Sequence, residues 1–188
     1  MEMNPTAALV IAFVAGMVVI FAVVVVLLRN RSQRLRDRFG PEYSRTVAET
    51  GDRRKAESAL ARRAKRVETL HIRALDSTER ARFQDSWRSI QAQFIDDPNA
   101  TLVEADRLIG NVLSAEGYPV ADFEQQAADI SVDHPTVVEN YRGGHAIAVR
   151  HSRGQASTED LRQAMIHYRR LFEDLLGQPE YTQTGRIS

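Results

Sequence analysis

Side chains able to bind a ligand or transfer a proton are concentrated between residues 133 and 169. Guanidinium groups bind anions and carboxylates, and imidazole also exchanges protons near neutral pH. The spacing of the apolar residues places these groups on the last two predicted helices, so facing helices would bring them together. The candidate ligand-binding residues are Arg142, His145, Arg162, His167 and Tyr168.

Metal and nucleophile chemistry is not indicated here. The segment has no Glu-x-x-His and no His-x-x-x-His, and Glu139 and His145 do not share a helix face. The chain has no cysteine, which excludes thiolate nucleophiles and Cys-based zinc sites. Ser131 lacks the context of a nucleophile elbow, and no Gly-rich phosphate loop is present. We therefore assign no catalytic residue, expect no bound metal and no cofactor, and favour a non-enzymatic function over an enzymatic one.

The arginines of the segment have a second interpretation, as parts of an internal ion-pair network. Arg142, Arg162 and Arg169 could gather around Asp133 and Glu139. A closed network would stabilise the fold, whereas an open one would form a pocket for an anionic or carboxylate ligand. The sequence leaves both alternatives open.

Two histidines also have structural interpretations. His145 lies on the apolar stripe of its helix, four residues after Tyr141, as expected of a partly buried ring bonded to a carboxylate or a carbonyl. His134 belongs to the turn Asp133-His134-Pro135, for which capping of the next helix is a sufficient explanation. Neither histidine requires a ligand.

An all-α domain is predicted to position these side chains. No stretch alternates convincingly between apolar and polar residues, as a half-buried strand would. We expect five or six helices, with a compact helical bundle in residues 76–177 and a flexible tail in residues 178–188. Helix boundaries are indicated by capping residues and glycines at Asp76 with Glu79, Asp97-Pro98, Gly117, Ser157-Thr158 and Gly177.

The N-terminal part contains a long apolar segment. Residues 7–28 are 22 residues without a charge, enough for one helix to cross a hydrocarbon core about 30 Å thick. A cleaved signal peptide is the alternative, but residues 1–6 contain no lysine or arginine and no Ala-x-Ala-like site precedes Arg29. We therefore predict an uncleaved transmembrane anchor.

The charges that flank the anchor predict its orientation. Five arginines lie within ten residues of its C-terminal end and no basic residue precedes it. The positive-inside rule places residues 1–6 outside the membrane and the C-terminal domain in the cytoplasm. The arginines expected to contact the bilayer and its anionic lipid head groups are Arg29, Arg31, Arg34, Arg36 and Arg38.

Charge is distributed unevenly, although the formal net charge is zero. Residues 29–88 carry 17 basic and 9 acidic side chains, and residues 89–188 carry 8 basic and 15 acidic ones. Residues 53–66 hold seven of the cations within a predicted basic juxtamembrane segment and helical stalk, residues 29–75. This second cluster could lie on lipid, pair with the acidic half or meet an acidic partner. It lacks interleaved aromatic residues, so we do not expect nucleic-acid binding.

Small residues recur in the anchor at a spacing of four. Ala8, Ala12 and Gly16 would lie on one helix face and allow two backbones to approach closely. A homodimer through this face is a hypothesis.

Several short motifs are spread over residues 38–177. They are Phe39-Gly40-Pro41-Glu42-Tyr43, Trp87 with Gln91 and Phe94, Gly117-Tyr118-Pro119, Ser131-Val132-Asp133-His134-Pro135, Asn140-Tyr141-Arg142 with His145, and Leu161-Arg162 followed by His167-Tyr168-Arg169 and Leu171-Phe172. Together they resemble a group of small bacterial single-span proteins described as hypothetical membrane or secreted proteins. The resemblance implies a bacterial source, so that the anchor would lie in the inner membrane, and a helical domain facing the cytosol or the envelope. It implies no activity.

Two classes of function follow. The first is a membrane-tethered helical adaptor, in which the anchor and the basic stalk hold the bundle at the inner leaflet, where it binds another protein. The second is a ligand-sensing or enzymatic bundle that uses the His/Arg/Tyr cluster of the last two helices. The polarity of the charge and the lack of catalytic motifs favour the adaptor.

Overall fold

The computed structural model describes residues 5–177, with side chains from residue 16 onward except those of Val24 and Leu28. Residues 1–4 of the predicted N-terminus and the predicted tail, residues 178–188, lie outside this range. Within it the regular secondary structure is entirely helical, which confirms the all-α prediction. The helices are α1 (Pro5–Phe39), α2 (Pro41–Thr50), α3 (Arg53–Val67), α4 (Ser77–Gln93), α5 (Pro98–Glu116), α6 (Phe123–Asp133), α7 (Val138–Ser152) and α8 (Thr158–Gly177).

Helix α1 runs without a break from the apolar segment through the arginine run. By length and composition, its part from Gly16 to Phe39 qualifies as a helix able to cross a membrane. The large apolar side chains described between Met17 and Leu27 are mostly exposed, as expected of a helix that the rest of the chain does not cover. Among the described residues nothing lies within 4 Å of a Cβ atom placed on Gly16, and the side chains of Ala8 and Ala12 are not among those described.

Helices α1, α2 and α3 form a small layer with an apolar cluster of its own. Helix α1 ends at Phe39 and α2 begins at Pro41, because proline fits the first turn of a helix but interrupts one that continues. Phe39 and Leu60 are fully buried in the cluster, which also includes Val132 of α6. This layer is therefore packed against α6 of the bundle.

The direction of α3 follows from its contacts with α1. Glu57, near the start of α3, accepts a hydrogen bond from Ser32 at 2.6 Å. Glu68, just after the end of α3, pairs with Arg38 at 3.1 Å. Helix α3 thus runs parallel to α1, and its first turn lies beside the residues that follow the apolar segment.

Helices α4 to α8 form the bundle, which is built around one core. Trp87 of α4 stacks on Phe172 of α8 with ring centroids 4.9 Å apart. Helix α7 packs along α8, and Gly144 makes this approach possible, because a Cβ atom there would lie 2.7 Å from the ring of Tyr168. Core-facing stripes that repeat every three to four residues account for this packing.

The predicted helix boundaries in the bundle are largely confirmed. Asp76 and Glu79 form a capping box at the start of α4, and Asp97 accepts hydrogen bonds from the first turn of α5. Seven helices follow α1 in the described range, against five or six predicted, and the additional one is α2. Its ten residues give too short an apolar pattern to be recognised.

Candidate functional site

The predicted His/Arg/Tyr cluster is divided between separate contacts. His145 and Tyr168 meet at Asp106 of α5: the Tyr168 hydroxyl donates to Oδ1 at 2.6 Å, and His145 Nδ1 lies 3.9 Å from the same oxygen. Burial and the Asp106 carboxylate raise the pKa of Tyr168. The His145 ring also stacks on Phe123, with centroids 3.7 Å apart. This contact joins α5, α6, α7 and α8; His145 is partly buried beside a carboxylate, as expected, but lies beyond hydrogen-bonding distance of it.

The other predicted residues point elsewhere. His167 Nδ1 lies 3.0 Å from the side-chain oxygen of Asn140, and burial lowers its pKa, with Arg170 acting in the same direction. Arg162 is 53% exposed and pairs with Glu159, three residues before it on α8.

The internal ion-pair network, one of the two alternatives for these arginines, forms only in part: Arg142 pairs with Glu139 at 3.3 Å, whereas Arg162 and Arg169 pair with acids on their own helix. Arg169 lies 3.9 Å from Glu173, and Arg142 is directed toward α2. Helical periodicity gives the face of a residue but not the neighbour that the face meets.

A buried carboxylate on α2 is the actual centre of an ion-pair network. Glu42 is 1% exposed. Its carboxylate accepts hydrogen bonds from both terminal nitrogens of Arg142, at 2.8 and 3.0 Å, and one from Arg63 at 2.9 Å. Arg45 extends the network to Glu139 at 3.1 Å. A buried carboxylate needs such partners because it has lost its hydration. The network ties α2, α3 and α7 together.

A basic groove lies where α1 leaves its apolar segment and α3 begins. Its arginines come from both helices, so the fold joins the two basic clusters of the sequence. The residues that line it are Arg29, Arg31, Ser32, Arg53, Arg54, Glu57 and Ser58.

Glu57 organises this basic groove. Its carboxylate accepts hydrogen bonds from Ser32, Tyr43 and Arg53 at 2.6 to 2.8 Å. Burial opposes ionisation, but the hydrogen bonds outweigh it and lower the pKa of Glu57 to about 2. An ionised Glu57 therefore holds the start of α3 against α1 and engages one of the four arginines.

A cavity of about 330 Å³ lies where α5 and α6 end, near the C-terminal turn of α8. The linker between α3 and α4, residues 68–76, closes one side. At Gly117 the φ angle is +100°, and a Cβ atom would lie 2.4 Å from the His71 carbonyl oxygen, so only glycine lets the linker lie on the end of α5. The lining residues are Ile72, Arg73, Ala74, Leu75, Arg80, Glu116, Tyr118, Asp133, His134 and Leu175. We call this the Glu116 cavity.

Glu116 is the unusual side chain of the cavity. It is 6% exposed, and its Oε2 atom has no hydrogen-bond partner in the part of the chain that the structure describes. Burial raises its pKa to about 7; His134 and the arginines 73 and 80 oppose the shift, and Asp174 adds to it. Glu116 is thus poised between its neutral and ionised forms near neutral pH.

The two arginines of the cavity have other partners. Arg73 makes a bidentate pair with Glu79 at 2.7 Å for both bonds. Arg80 donates to the backbone carbonyl oxygen of Leu176 at 2.6 Å. Neither of these bonds goes to Glu116.

The predicted capping role of Asp133-His134-Pro135 was wrong. Asp133 accepts a hydrogen bond from the Tyr118 hydroxyl at 2.9 Å, and His134 Nδ1 lies 2.6 Å from a carboxylate oxygen of Asp174. Helix α7 begins after Val137 without a side-chain cap. The turn therefore faces the cavity rather than the next helix.

Glu116 was missed at the level of sequence, although a signal was present. It follows Val112 by four residues and so continues the apolar stripe of α5. An acidic residue at that position, in the last turn of a helix, is doubly unfavourable because it is buried and faces the negative end of the helix dipole.

Comparisons of the chain with protein-family models, with curated proteins and with solved structures found no match. Among the described residues, no three His, Asp or Glu side chains are grouped so that they could hold a metal ion. Function is therefore inferred from the geometry of the described residues.

Proposed function

We propose that this protein is a membrane-tethered helical adaptor. Helix α1 anchors it as a single-pass protein in the bacterial inner membrane, with the N-terminus outside and the bundle in the cytoplasm. The layer of α1, α2 and α3 lies on anionic lipid head groups and holds the bundle close to the membrane, where it binds another protein.

The basic groove is the observation that carries this proposal. Arg29 and Arg31 follow the apolar segment directly, and the return of the chain at Gly51 brings Arg53 and Arg54 beside them. A basic side chain near an anionic leaflet gains about 1 kcal/mol. Arginines from α1 and α3 lie side by side in the groove. The folded layer therefore presents a broader basic surface than a single helix leaving the membrane would provide.

The acidic half of the chain supports the choice of a protein partner. Residues 89–188 carry 15 acidic and 8 basic side chains, so most of the bundle repels the leaflet that attracts the groove. The bundle is therefore expected to face the cytoplasm and to meet a partner whose contact surface is basic.

Site-directed spin labelling of the full chain in bilayers tests the lipid contact. Because the chain has no cysteine, the variants Ser58→Cys and Ser89→Cys each carry one label, at the groove and on α4 respectively. We expect the label at 58 to be more accessible to a lipid-soluble relaxing agent in anionic than in zwitterionic bilayers. The label at 89 should not change. Equal accessibility of position 58 in both bilayers would contradict the proposal.

Charge variants test the specificity of this contact. The double variant R53Q/R54Q, in the Ser58→Cys background, should abolish the response of the label to anionic lipid. The matched variant R162Q, which neutralises an exposed arginine on α8, should preserve it. Paired reporters fused after Ser188 test the orientation, and activity of the extracytoplasmic reporter alone would refute it.

A further inference from the structure

We propose that the Glu116 cavity binds a small organic cation, an ammonium group attached to a short apolar chain, with the Glu116 carboxylate as its counter-ion. This site goes beyond the proposed adaptor function and does not depend on it.

The Oε2 oxygen of Glu116 has no hydrogen-bond partner among the described residues. This atom belongs to a side chain that is 94% buried and lines a cavity. Leaving a buried polar atom without a partner costs about 1–3 kcal/mol, and more when the group is charged. A cation that enters the cavity beside this carboxyl group offsets the cost of burying its charge by ion pairing.

The charged groups around the Glu116 cavity determine the sign of the ligand that it favours. Glu116 faces His134 and Asp133 at the end of α6, Asp174 on α8, Arg73 on the linker and Arg80 on α4. Arg73 is balanced by Glu79, and His134 is held by Asp174. When these two pairs are set aside, the remaining charged groups are the acids Glu116 and Asp133 and the base Arg80. Arg80 donates a hydrogen bond to a backbone carbonyl at the end of α8. The carboxyl ends of α5, α6 and α8 add partial negative charge. The surroundings therefore favour a cation.

The size and polarity of the cavity also bear on the choice of ligand. A cavity of about 330 Å³ is at the lower end of the range for small-molecule sites. Ile72, Leu75 and Leu175 supply apolar walls beside the carboxyl group. Since no three potential metal ligands are grouped in the described part of the chain, an organic cation with a short alkyl chain fits better than a metal ion.

Isothermal titration calorimetry of the full chain in non-ionic detergent tests the site, with n-butylammonium chloride as the probe. We expect saturable binding with a Kd on the order of 1 mM or below. Binding should release protons near pH 7, because the ammonium group favours the ionised form of Glu116, and heats in buffers of different ionisation enthalpy measure this release. Butyrate, which has the opposite charge, should not bind. Absence of saturable butylammonium binding, or binding of butyrate instead, would overturn the inference.

Variants assign the binding to Glu116. In E116Q the affinity should fall at least about tenfold and the release of protons should disappear. In E116D, which keeps the charge, weaker binding with proton release should remain. The matched control E104Q, an exposed position on the same helix, should bind like the unmodified chain. Butylammonium binding by a folded E116Q variant with unchanged affinity and proton release would refute the assignment.

Discussion

Glu42 and Arg142 lie one hundred residues apart in the sequence and form a bidentate pair, with N–O distances of 2.8 and 3.0 Å. Glu42 belongs to the layer that continues from the apolar segment, and Arg142 belongs to the bundle. The pair is nearly excluded from solvent, with side chains 1% and 13% exposed. The pair therefore fixes the bundle in position relative to the layer that contains α1.

Breaking this pair should destabilise the protein strongly. In E42Q the partly buried guanidinium groups of Arg142 and Arg63 lose their shared buried counter-ion, and we expect a loss of about 2–4 kcal/mol in the free energy of unfolding. Urea unfolding of the full chain in detergent, followed by circular dichroism, measures it. The control E139Q removes an acid that is 53% exposed and should cost less than about 1 kcal/mol. Equal losses in the two variants would show that burial of Glu42 carries no special weight.

Glu116 should make the folded state less stable as the pH rises. Its pKa is raised from 4.5 to about 7 in the folded state, so between these values the folded chain holds a proton that the unfolded chain has released. The contribution of protonated Glu116 to the free energy of unfolding is fully present below pH 4.5 and is lost as the pH approaches 7. We expect E116Q to exceed the unmodified chain in stability above pH 7 by on the order of 3 kcal/mol and to match it near pH 4.

Urea midpoints at about pH 5 and pH 8 measure this difference. All other acidic and basic side chains are the same in the two proteins, so the comparison reports the substitution at Glu116. A constant difference between the two proteins across this range would exclude an elevated pKa at Glu116.

Glu57 should have the opposite dependence on pH. Its pKa falls from 4.5 in the unfolded state to about 2 in the folded state, so its contribution is present above pH 4.5 and is lost as the pH falls toward 2. The variant E57Q should unfold more easily than the unmodified chain at neutral pH and show a shallower loss of stability in acid. Circular dichroism during acid titration measures both effects. The control E49Q, at an exposed acid on α2, should retain the acid dependence.

Gly144 and Gly110 should respond to alanine with opposite signs. In G144A the new Cβ atom meets the Tyr168 ring at 2.7 Å, and the forced shift of α7 from α8 should cost about 1–3 kcal/mol. In G110A nothing lies within 4 Å of the new atom, and the better helix propensity should gain up to about 1 kcal/mol. Trp87 stacks on Phe172 of α8, and because it is the single tryptophan its fluorescence reports unfolding of the bundle. A destabilised G110A or a neutral G144A would contradict this view of the α7–α8 contact.

The sequence predicts what local rules determine. The capping box of Asp76 and Glu79 and the left-handed glycine at Gly117 define helix ends within a few residues, so they are visible without the structure. The pairing of Arg142 with Glu42 cannot be read from the sequence. Glu42 lies one hundred residues away, on a helix whose apolar pattern is too short to recognise. The Glu116 cavity is a similar case: its walls come from one linker and the ends of four helices, and only tertiary packing brings these together.

The apolar segment and the folded layer share one continuous helix, and Leu35 and Phe39 lie in the apolar cluster at its C-terminal end. Because the helix is continuous, a rotation of the apolar segment about its axis rotates Phe39 as well. One residue inserted before Leu35 would turn the bundle by about 100° relative to the apolar segment and displace it by about 1.5 Å. The register of α1 therefore sets the angle at which the bundle is held about the axis of the apolar segment.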